Sequence, residues 1–207
     1  MPRWLIPLSV VVVAGVLAVV VARAGGDAPP AAPSPSPTAP AAAPTETAPA
    51  AAPTGFVRFQ DEQTGIAISY PANWERLESP DPQVVVVATL NGRDSFLVRR
   101  SELGFTVTAE NLDAVRSLTA EIVTANEDVE LLAGPEPIEL AGLPGHFYLY
   151  TFADESGQRG AHSHYFVFRG DIMISLVFQA LPADRFAELA PTFDAIAASI
   201  EVTAPQE

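Results

Sequence analysis

Three histidines are the residues of this sequence whose types and spacing could do chemistry. His162 and His164 are two positions apart in a strand-like segment, so their side chains share one face. If the preceding hairpin turns near Gly157, His164 lies close to opposite Tyr150, and His146 shares the same face. Three imidazoles on one rigid surface can bind Zn²⁺ or Cu²⁺. His146, His162 and His164 are therefore candidate metal ligands.

The same histidines also have a structural interpretation. Half-buried imidazoles often pack as ordinary aromatic side chains under a helix or at a sheet edge. A change of one residue in the strand register would place His146 and His164 on opposite faces. Metal binding and simple packing both remain open on the sequence alone.

Local motifs for catalysis are absent from the sequence. It contains no Gly-x-Ser-x-Gly, no His-Glu-x-x-His, no Gly-rich phosphate loop and no cysteine. We therefore predict no catalytic residues, no cofactor and no enzymatic activity. Catalytic triads can form from residues far apart in sequence, so an unrecognised hydrolase stays as an alternative.

Three further polar or aromatic features have structural interpretations. The segment Asp154–Gly157 lacks the spacing of a calcium loop and predicts a hairpin turn. Trp74 is expected to be buried over the end of a sheet, because tryptophan is largely buried on average. Arg99 and Arg100 are expected to pair with carboxylates of the same domain.

The N-terminal segment predicts a membrane anchor. The 19 residues from Trp4 to Ala22 carry no charge, and as a helix they would cover roughly 28 Å, close to the thickness of a bilayer core. Arg3 favours an N-terminus inside the cell. We therefore predict that residues 1–24 are a single-pass anchor that contacts the membrane through residues 4–22. Cleavage after Ala24 would instead give a secreted protein.

The next 30 residues predict a disordered linker. Alanine and proline dominate residues 25–54, and such a segment cannot bury enough apolar surface to fold. Recurrent proline favours an extended spacer between the anchor and a folded domain. Residues 55–207 have the length of one ordinary domain.

Charge limits the partners of this domain. Residues 55–207 contain nine arginines, no lysine and 23 acidic residues, and the formal net charge of the whole chain is −14. Nucleic-acid binding requires a positive surface that neutralises phosphates, so nucleic acid is excluded as a partner. A protein partner with a basic surface fits this charge.

Hydrophobic patterning predicts an α+β fold with one antiparallel sheet covered by helices on both faces. A helix is predicted from Thr108 to Asn126, and a further helical run near the C-terminus is predicted to be split at Pro191. The prolines between Glu130 and Leu140 indicate an edge strand. Predicted strands are 56–60, 66–70, 84–90, 95–100, 130–140, 146–153, 161–169 and 172–180, with an Asn91-Gly92 type I′ turn and a Gly170-Asp171 turn.

A family resemblance rests on three segments. Thr64–Trp74 resembles a signature of the PsbP/Mog1/DcrB-like superfamily, in which a Gly opens a strand that ends in Tyr-Pro with Trp shortly after. Gly142–Gly145 followed by Tyr148 is similar to the entry of the family's central strand. Phe193–Ile200, with Ser199 before the last apolar residue, is similar to the end of its C-terminal helix.

The resemblance implies an α/β/α sandwich and mostly non-enzymatic, accessory roles. The layout is most similar to actinobacterial envelope lipoproteins of the LpqN type, although this chain lacks the lipidated cysteine and carries a hydrophobic helix instead. It also lacks a chloroplast transit peptide, so a photosynthetic role does not carry over.

The sequence as a whole predicts a non-catalytic binding or accessory protein of the bacterial cell envelope. It would be held at the cytoplasmic membrane with its folded domain outside, where it would bind another envelope protein. A small-ligand or metal-binding module that uses the His-bearing sheet face is one alternative, and an unrecognised hydrolase is another.

Overall fold

A computed structural model of the chain describes residues 54–125 and 128–203. The predicted anchor and all of the predicted linker except Thr54 lie outside these residues. No helix in the two ranges combines the length and apolar character needed to cross a bilayer. The strands are β1 Phe56–Asp61, β2 Ile66–Pro71, β3 Glu75–Leu77, β4 Val84–Thr89, β5 Ser95–Val107, β6 Glu130–Leu140, β7 Leu143–Ala153, β8 Arg159–Ala180 and β9 Glu201–Val202; the helices are α1 Arg116–Val123 and α2 Phe186–Ala198, each preceded by a 3₁₀ segment, Ala109–Val115 and Ala183–Arg185.

The larger of two antiparallel sheets has the strand order β3-β4-β5-β8-β7-β6. β8 remains extended over 22 residues, yet it folds back on itself. Nε2 of His162 lies 3.0 Å from Oε1 of Gln179, whereas a straight strand would separate these residues by about 56 Å. The reversal lies near Gly170, whose φ is 61°. The part of β8 before this reversal therefore pairs with β7, and the part after it pairs with β5. This agrees with the predicted Gly170-Asp171 turn.

The hairpin connection between β4 and β5 differs from the prediction. Thr89 and Ser95 are the last paired residues of β4 and β5, so five residues connect these strands and the predicted two-residue turn at Asn91-Gly92 is wrong. Oδ1 of Asn91 instead accepts hydrogen bonds from the backbone N–H groups of Arg93 and Asp94 at 3.0 and 2.8 Å. This side-chain turn competes with the tighter backbone turn.

A two-residue hairpin turn does occur between β6 and β7. Leu140 pairs with Leu143, and the residues between them, Ala141 and Gly142, have φ values of 54° and 71°. Positive φ at both central positions is the requirement of a type I′ turn. The turn therefore forms at a dipeptide that is less favourable than Asn-Gly.

A second, three-stranded sheet has the order β1-β2-β9. The sequence predicted a single sheet and did not predict β9. This small sheet and α2 cover one face of the large sheet. The buried core there includes Ile68, Tyr70, Trp74, Phe96, Val98, Ile174, Leu176, Phe178, Leu189, Phe193 and Ile196.

The opposite face of the large sheet carries a second apolar core under α1. Val123 of α1 and Val115 of the preceding 3₁₀ segment belong to this core. The predicted helix from Thr108 to Asn126 begins as 3₁₀ at Ala109 and becomes α-helical only from Arg116. The two helices thus lie on opposite faces of the sheet. The sheet residues of this core are Val107, Tyr148, Tyr150, Phe166, Phe168 and Met173.

Proline acts as predicted in one element and not in another. β6, which contains Pro135 and Pro137, is the last strand of the large sheet, as predicted. α2 in contrast continues through Pro191 without a break, so the predicted split is wrong. The lost backbone hydrogen bond is offset because Leu189 and Phe193, on either side of the proline, are both buried in the core.

Candidate functional site

The hairpin of β7 and β8 places all three histidines on one face of the large sheet. His146 pairs with Phe166, His164 with Tyr148 and His162 with Tyr150. The sequence expected His164 opposite Tyr150. The connecting turn is centred one residue earlier than predicted, so the partners move by two positions and the shared face is retained.

Tyr150 lies between two of the imidazoles. Its hydroxyl is 3.1 Å from Nδ1 of His162 and 3.3 Å from Nδ1 of His164. Gln179 fixes the direction of these hydrogen bonds. Its Nε2 donates to the backbone carbonyl of Arg93 at 2.8 Å, so its Oε1 faces His162 and accepts from Nε2 at 3.0 Å.

One set of proton positions satisfies this chain of hydrogen bonds. With the proton of His162 on Nε2, Nδ1 accepts from the hydroxyl of Tyr150. The same hydroxyl then accepts from Nδ1 of His164, whose Nε2 is buried and has no hydrogen-bond partner among the described residues. Both rings are therefore neutral in this arrangement.

Burial favours the neutral form of both rings. It lowers the pKa of His162 from 6.5 to about 4, although the hydrogen bond to Gln179 opposes the shift. Burial also lowers the pKa of His164 well below its usual value, and the neighbouring His162 adds to the effect. The ring of His164 stacks on Phe166, with ring centroids 3.8 Å apart. Both histidines thus behave as aromatic core residues at neutral pH.

His146 belongs to a different polar cluster, formed with α1. Thr119 Oγ1 lies 2.7 Å from the hydroxyl of Tyr148 and 3.4 Å from Nδ1 of His146. The same hydroxyl of Thr119 lies 3.1 Å from the carbonyl oxygen of Arg116, which can accept its proton. His146 is fully buried, and burial together with the charge of Arg116 lowers its pKa. This cluster fastens α1 to the sheet, and the sequence did not predict it.

The three histidines do not form a common metal site. His162 lies four residues along the strand from Phe166, the partner of His146, which is about 13 Å at the rise of a strand. The pair Tyr148 and His164 lies between them along the two strands. Within residues 54–125 and 128–203, no group of three or more His, Asp or Glu side chains is placed to hold a metal ion. The predicted site at His146, His162 and His164 is therefore not supported by the geometry.

No hydrolytic constellation includes these histidines. In the part of the chain that the structure describes, Thr119 is the only serine or threonine whose side chain is hydrogen-bonded to an imidazole. Thr119 is fully buried, and its hydroxyl also contacts backbone carbonyls. A group that no substrate can reach has no use as a nucleophile, so this arrangement serves packing.

The other sequence candidates lie where they were predicted. Oδ1 of Asp154 accepts from the backbone N–H of Ser156 at 2.9 Å and of Gln158 at 2.8 Å, which makes a hairpin turn. These hydrogen bonds, with that from the Ser156 hydroxyl first, lower the pKa of Asp154. Trp74 is buried against Phe96 and Phe193. Arg99 and Arg100 pair with Asp81 and Glu102, each at 3.3 Å.

Asp94 is a polar residue whose role the sequence did not reveal. It is fully buried at the connection between β4 and β5. Oδ1 accepts from the backbone N–H of Leu181 at 3.1 Å, and Oδ2 from Asn91 Nδ2 at 2.9 Å. Arg185 supplies the neutralising charge at 3.3 Å. Asp94 therefore joins this loop to the start of α2, and only the turn-forming Asn-Gly-Arg-Asp sequence could have suggested it.

Comparison with known proteins identifies the fold. No protein-family model matches the sequence, and no curated protein matches it. The chain is similar to the solution structure of cyanobacterial PsbP (CyanoP) from Synechocystis, with a TM-score of 0.56 and 18% identity over 76% of this chain and 98% of that one.

Two other solved structures are more distant. LpqN of Mycobacterium tuberculosis, described as involved in cell envelope biogenesis, has a TM-score of 0.48 and 13% identity over 72% of this chain and 90% of that one. The Ran-binding protein Mog1p of Saccharomyces cerevisiae has a TM-score of 0.44 and 15% identity over 71% and 95%. The similarity to cyanobacterial PsbP shows that the folded domain of this chain has a PsbP-like fold.

Proposed function

We propose that this protein is a membrane-anchored, non-catalytic binding or accessory protein of the bacterial cell envelope. Its folded domain lies outside the cytoplasm and binds another envelope protein through a basic surface of that partner. The apolar segment Trp4–Ala22 and the Ala/Pro-rich residues 25–54 support the anchored layout. The PsbP-like fold supports an accessory role as an analogy between folds.

The observation that carries this proposal is that the arginines of the folded domain contact other groups of the same domain. All nine arginines of the folded domain are engaged within it. Six pair with carboxylates, among them Arg58, whose guanidinium binds Glu201 through two hydrogen bonds of 2.8 and 2.7 Å. Arg76 lies over the ring of Phe59. Arg93 and Arg169 donate to Gln158 and to the carbonyl of Thr203. The other arginines in ion pairs are Arg99, Arg100, Arg116, Arg159 and Arg185.

Exposed carboxylates therefore make the electrostatic potential at the surface of the domain negative. Glu62, Glu121, Glu136, Glu139 and Glu188 are all exposed, and none of them forms an ion pair among the described residues. A surface of this kind attracts cationic surfaces and repels anionic lipid headgroups. A basic protein close to the membrane is the partner that this field would select.

In-cell crosslinking of the full-length protein tests this function. Capture and mass spectrometry should recover one reproducible envelope protein, and a variant that lacks residues 55–207 but keeps the anchor should not recover it. Association of the purified pair should weaken as salt rises from 50 to 500 mM, because salt screens the attraction. Recovery only of proteins that the truncated control also captures would contradict the proposal, as would association that is insensitive to salt.

A further inference from the structure

The strands at the ends of the two sheets differ in how open their outer backbone edges are. β6 carries Pro135 and Pro137 and two register shifts against β7, features that prevent further strand pairing. β3 and β9 have only three and two residues. β1 in contrast has six residues without proline or glycine, and all six pair with β2 in regular register.

The outer edge of β1 has no strand partner in the part of the chain that the structure describes. Every second residue of an antiparallel strand directs its N–H and C=O away from its neighbour. β1 therefore presents backbone donors and acceptors that another strand can use. Val57, the second residue of β1, is 42% exposed.

A groove accompanies this edge. It measures about 330 Å³ and lies between Phe59 of β1 and the outer part of the large sheet. Val85 lines both this groove and a second recess of about 210 Å³. Arg76 and Glu78 also line the groove.

Three glutamates favour a cationic occupant. Glu78 lines the groove, Glu62 directly follows β1 and Glu75 begins β3. Glu62, Glu75 and Glu78 are exposed, and none of them forms an ion pair within residues 54–125 and 128–203. The guanidinium of Arg76 is held over the ring of Phe59 at 5.6 Å from its centroid. An exposed cation–π contact is weak, so an entering chain can displace it.

We propose that β1 is a strand-addition site for an extended segment of a partner protein that carries lysine or arginine. The segment pairs its backbone with the outer edge of β1 and alternates its side chains. Its apolar side chains enter the groove at Phe59 and Val85. Its basic side chains pair with the exposed glutamates Glu62, Glu75 and Glu78. This inference rests on the proposed binding function and specifies its location and the form of the partner.

Site-specific photo-crosslinking in cells tests the location. A photoreactive amino acid replaces Val57 in one full-length variant and Leu132, 54% exposed on β6, in the other. The Val57 variant should crosslink to a segment of the partner that is rich in lysine or arginine, whereas the Leu132 variant should not. If a chemical crosslinker still captures a partner but only the Leu132 variant forms the adduct, the β1 site is wrong and the binding function stands.

Edge-blocking substitutions test the mechanism. A synthetic peptide with the crosslinked sequence should bind the full-length protein and protect amide hydrogens of β1 from exchange. Val57→Lys should weaken binding by about tenfold or more, because lysine on an edge strand opposes both strand pairing and a basic ligand. Leu132→Lys makes the same chemical change on β6 and should leave affinity within about twofold. Equal loss in both variants, or protection confined to β6, would overturn the proposal.

Discussion

The hydroxyl of Ser199 forms the hydrogen bonds to the backbone of Ser69 that a neighbouring strand would otherwise form. Ser199 Oγ accepts from the backbone N–H of Ser69 at 2.8 Å, and it lies 3.1 Å from the carbonyl oxygen of Ser69 and 2.7 Å from that of Ile196. The end of α2 is thereby joined to β2, immediately before β9 pairs with the same strand. One side chain thus connects the C-terminal helix to the small sheet.

Ser199→Ala should lower the free energy of unfolding by about 1–3 kcal/mol, since it leaves the N–H of Ser69 without its acceptor. Chemical denaturation of the full chain measures the change. Ser117→Ala is the matched control, because Ser117 is exposed on α1, and its effect should stay within about 0.5 kcal/mol. Equal effects of the two substitutions would contradict a special role of Ser199.

Asp94→Ala should destabilise the domain by about 3–5 kcal/mol. It leaves Arg185 without its counter-charge and the N–H of Leu181 without an acceptor in a buried environment. The comparison is Asp113→Ala, which removes an exposed ion pair with Arg116. That change should cost less than about 1 kcal/mol. Thermal unfolding measures the two variants. Equal decreases in their unfolding midpoints would contradict the structural role assigned to Asp94.

The turn between β6 and β7 should become more stable when Ala141 is replaced by glycine. Ala141 has a φ of 54°, a conformation that costs a residue with a Cβ about 1–2 kcal/mol. The greater flexibility of unfolded glycine offsets part of this gain, which leaves about 0.5–1 kcal/mol.

Gly142→Ala is the reciprocal change. A Cβ at Gly142 would meet no atom within 4 Å, so its cost of about 1 kcal/mol would come from the backbone alone. Denaturant midpoints of the two variants should therefore shift in opposite directions. Shifts of the same sign would show that the backbone conformation of this turn is not what determines the effect.

Stability should fall when the pH is lowered from 7 to 5. The pKa values of His146, His162 and His164 are lowered in the folded domain, so the unfolded chain takes up protons first, from about pH 6.5 downward. Each imidazole contributes at most about 2 kcal/mol between pH 6.5 and 5. These are the only histidines in the chain, and it has no cysteine.

Urea unfolding at pH 7 and pH 5 measures this dependence. His164→Phe keeps an aromatic ring against Phe166 and removes one titrating group, so the difference between the two midpoints should be smaller than in the unchanged chain. A midpoint that does not depend on pH in this range would contradict the burial of the neutral rings.

Zinc should not bind through the histidine face. His162 and His164 both direct Nδ1 to the hydroxyl of Tyr150, and His146 lies too far away to complete a shell. Calorimetric titration of Zn²⁺ into the full-length chain without a His tag should give the same result for the unchanged protein and for the double variant His162→Ala with His164→Ala. Loss of a stoichiometric site in the double variant would restore the metal-binding alternative.

The limits of the sequence prediction have identifiable physical causes. The strand alternation of His162 and His164 predicted their common face correctly, because a face depends only on local period. The partner of each histidine depends on where the turn is centred, and the side chain of Asp154 sets that position through its hydrogen bonds. A shift of one residue in the turn changed every cross-strand neighbour.

The local sequence pattern also could not predict contacts between residues that are far apart in the sequence. β9 has only two residues, and nothing in Glu201 or Val202 indicates a strand until β2 is placed beside it. Pro191 predicted a helix break, yet the buried side chains on both sides of it maintain α2. Asp94 was inconspicuous because its partners Leu181 and Arg185 are about 90 residues away in the sequence.

The pairing of β2 with β9 determines when the small sheet can be completed during synthesis. Ile66 and Ala67 emerge early and pair with Val202 and Glu201 at the far end of the domain. Contacts between such distant residues form slowly, because a long loop must close first. The small sheet can therefore be completed only after Glu201 and Val202 have been made, and until then one edge of β2 is exposed to chaperones and proteases.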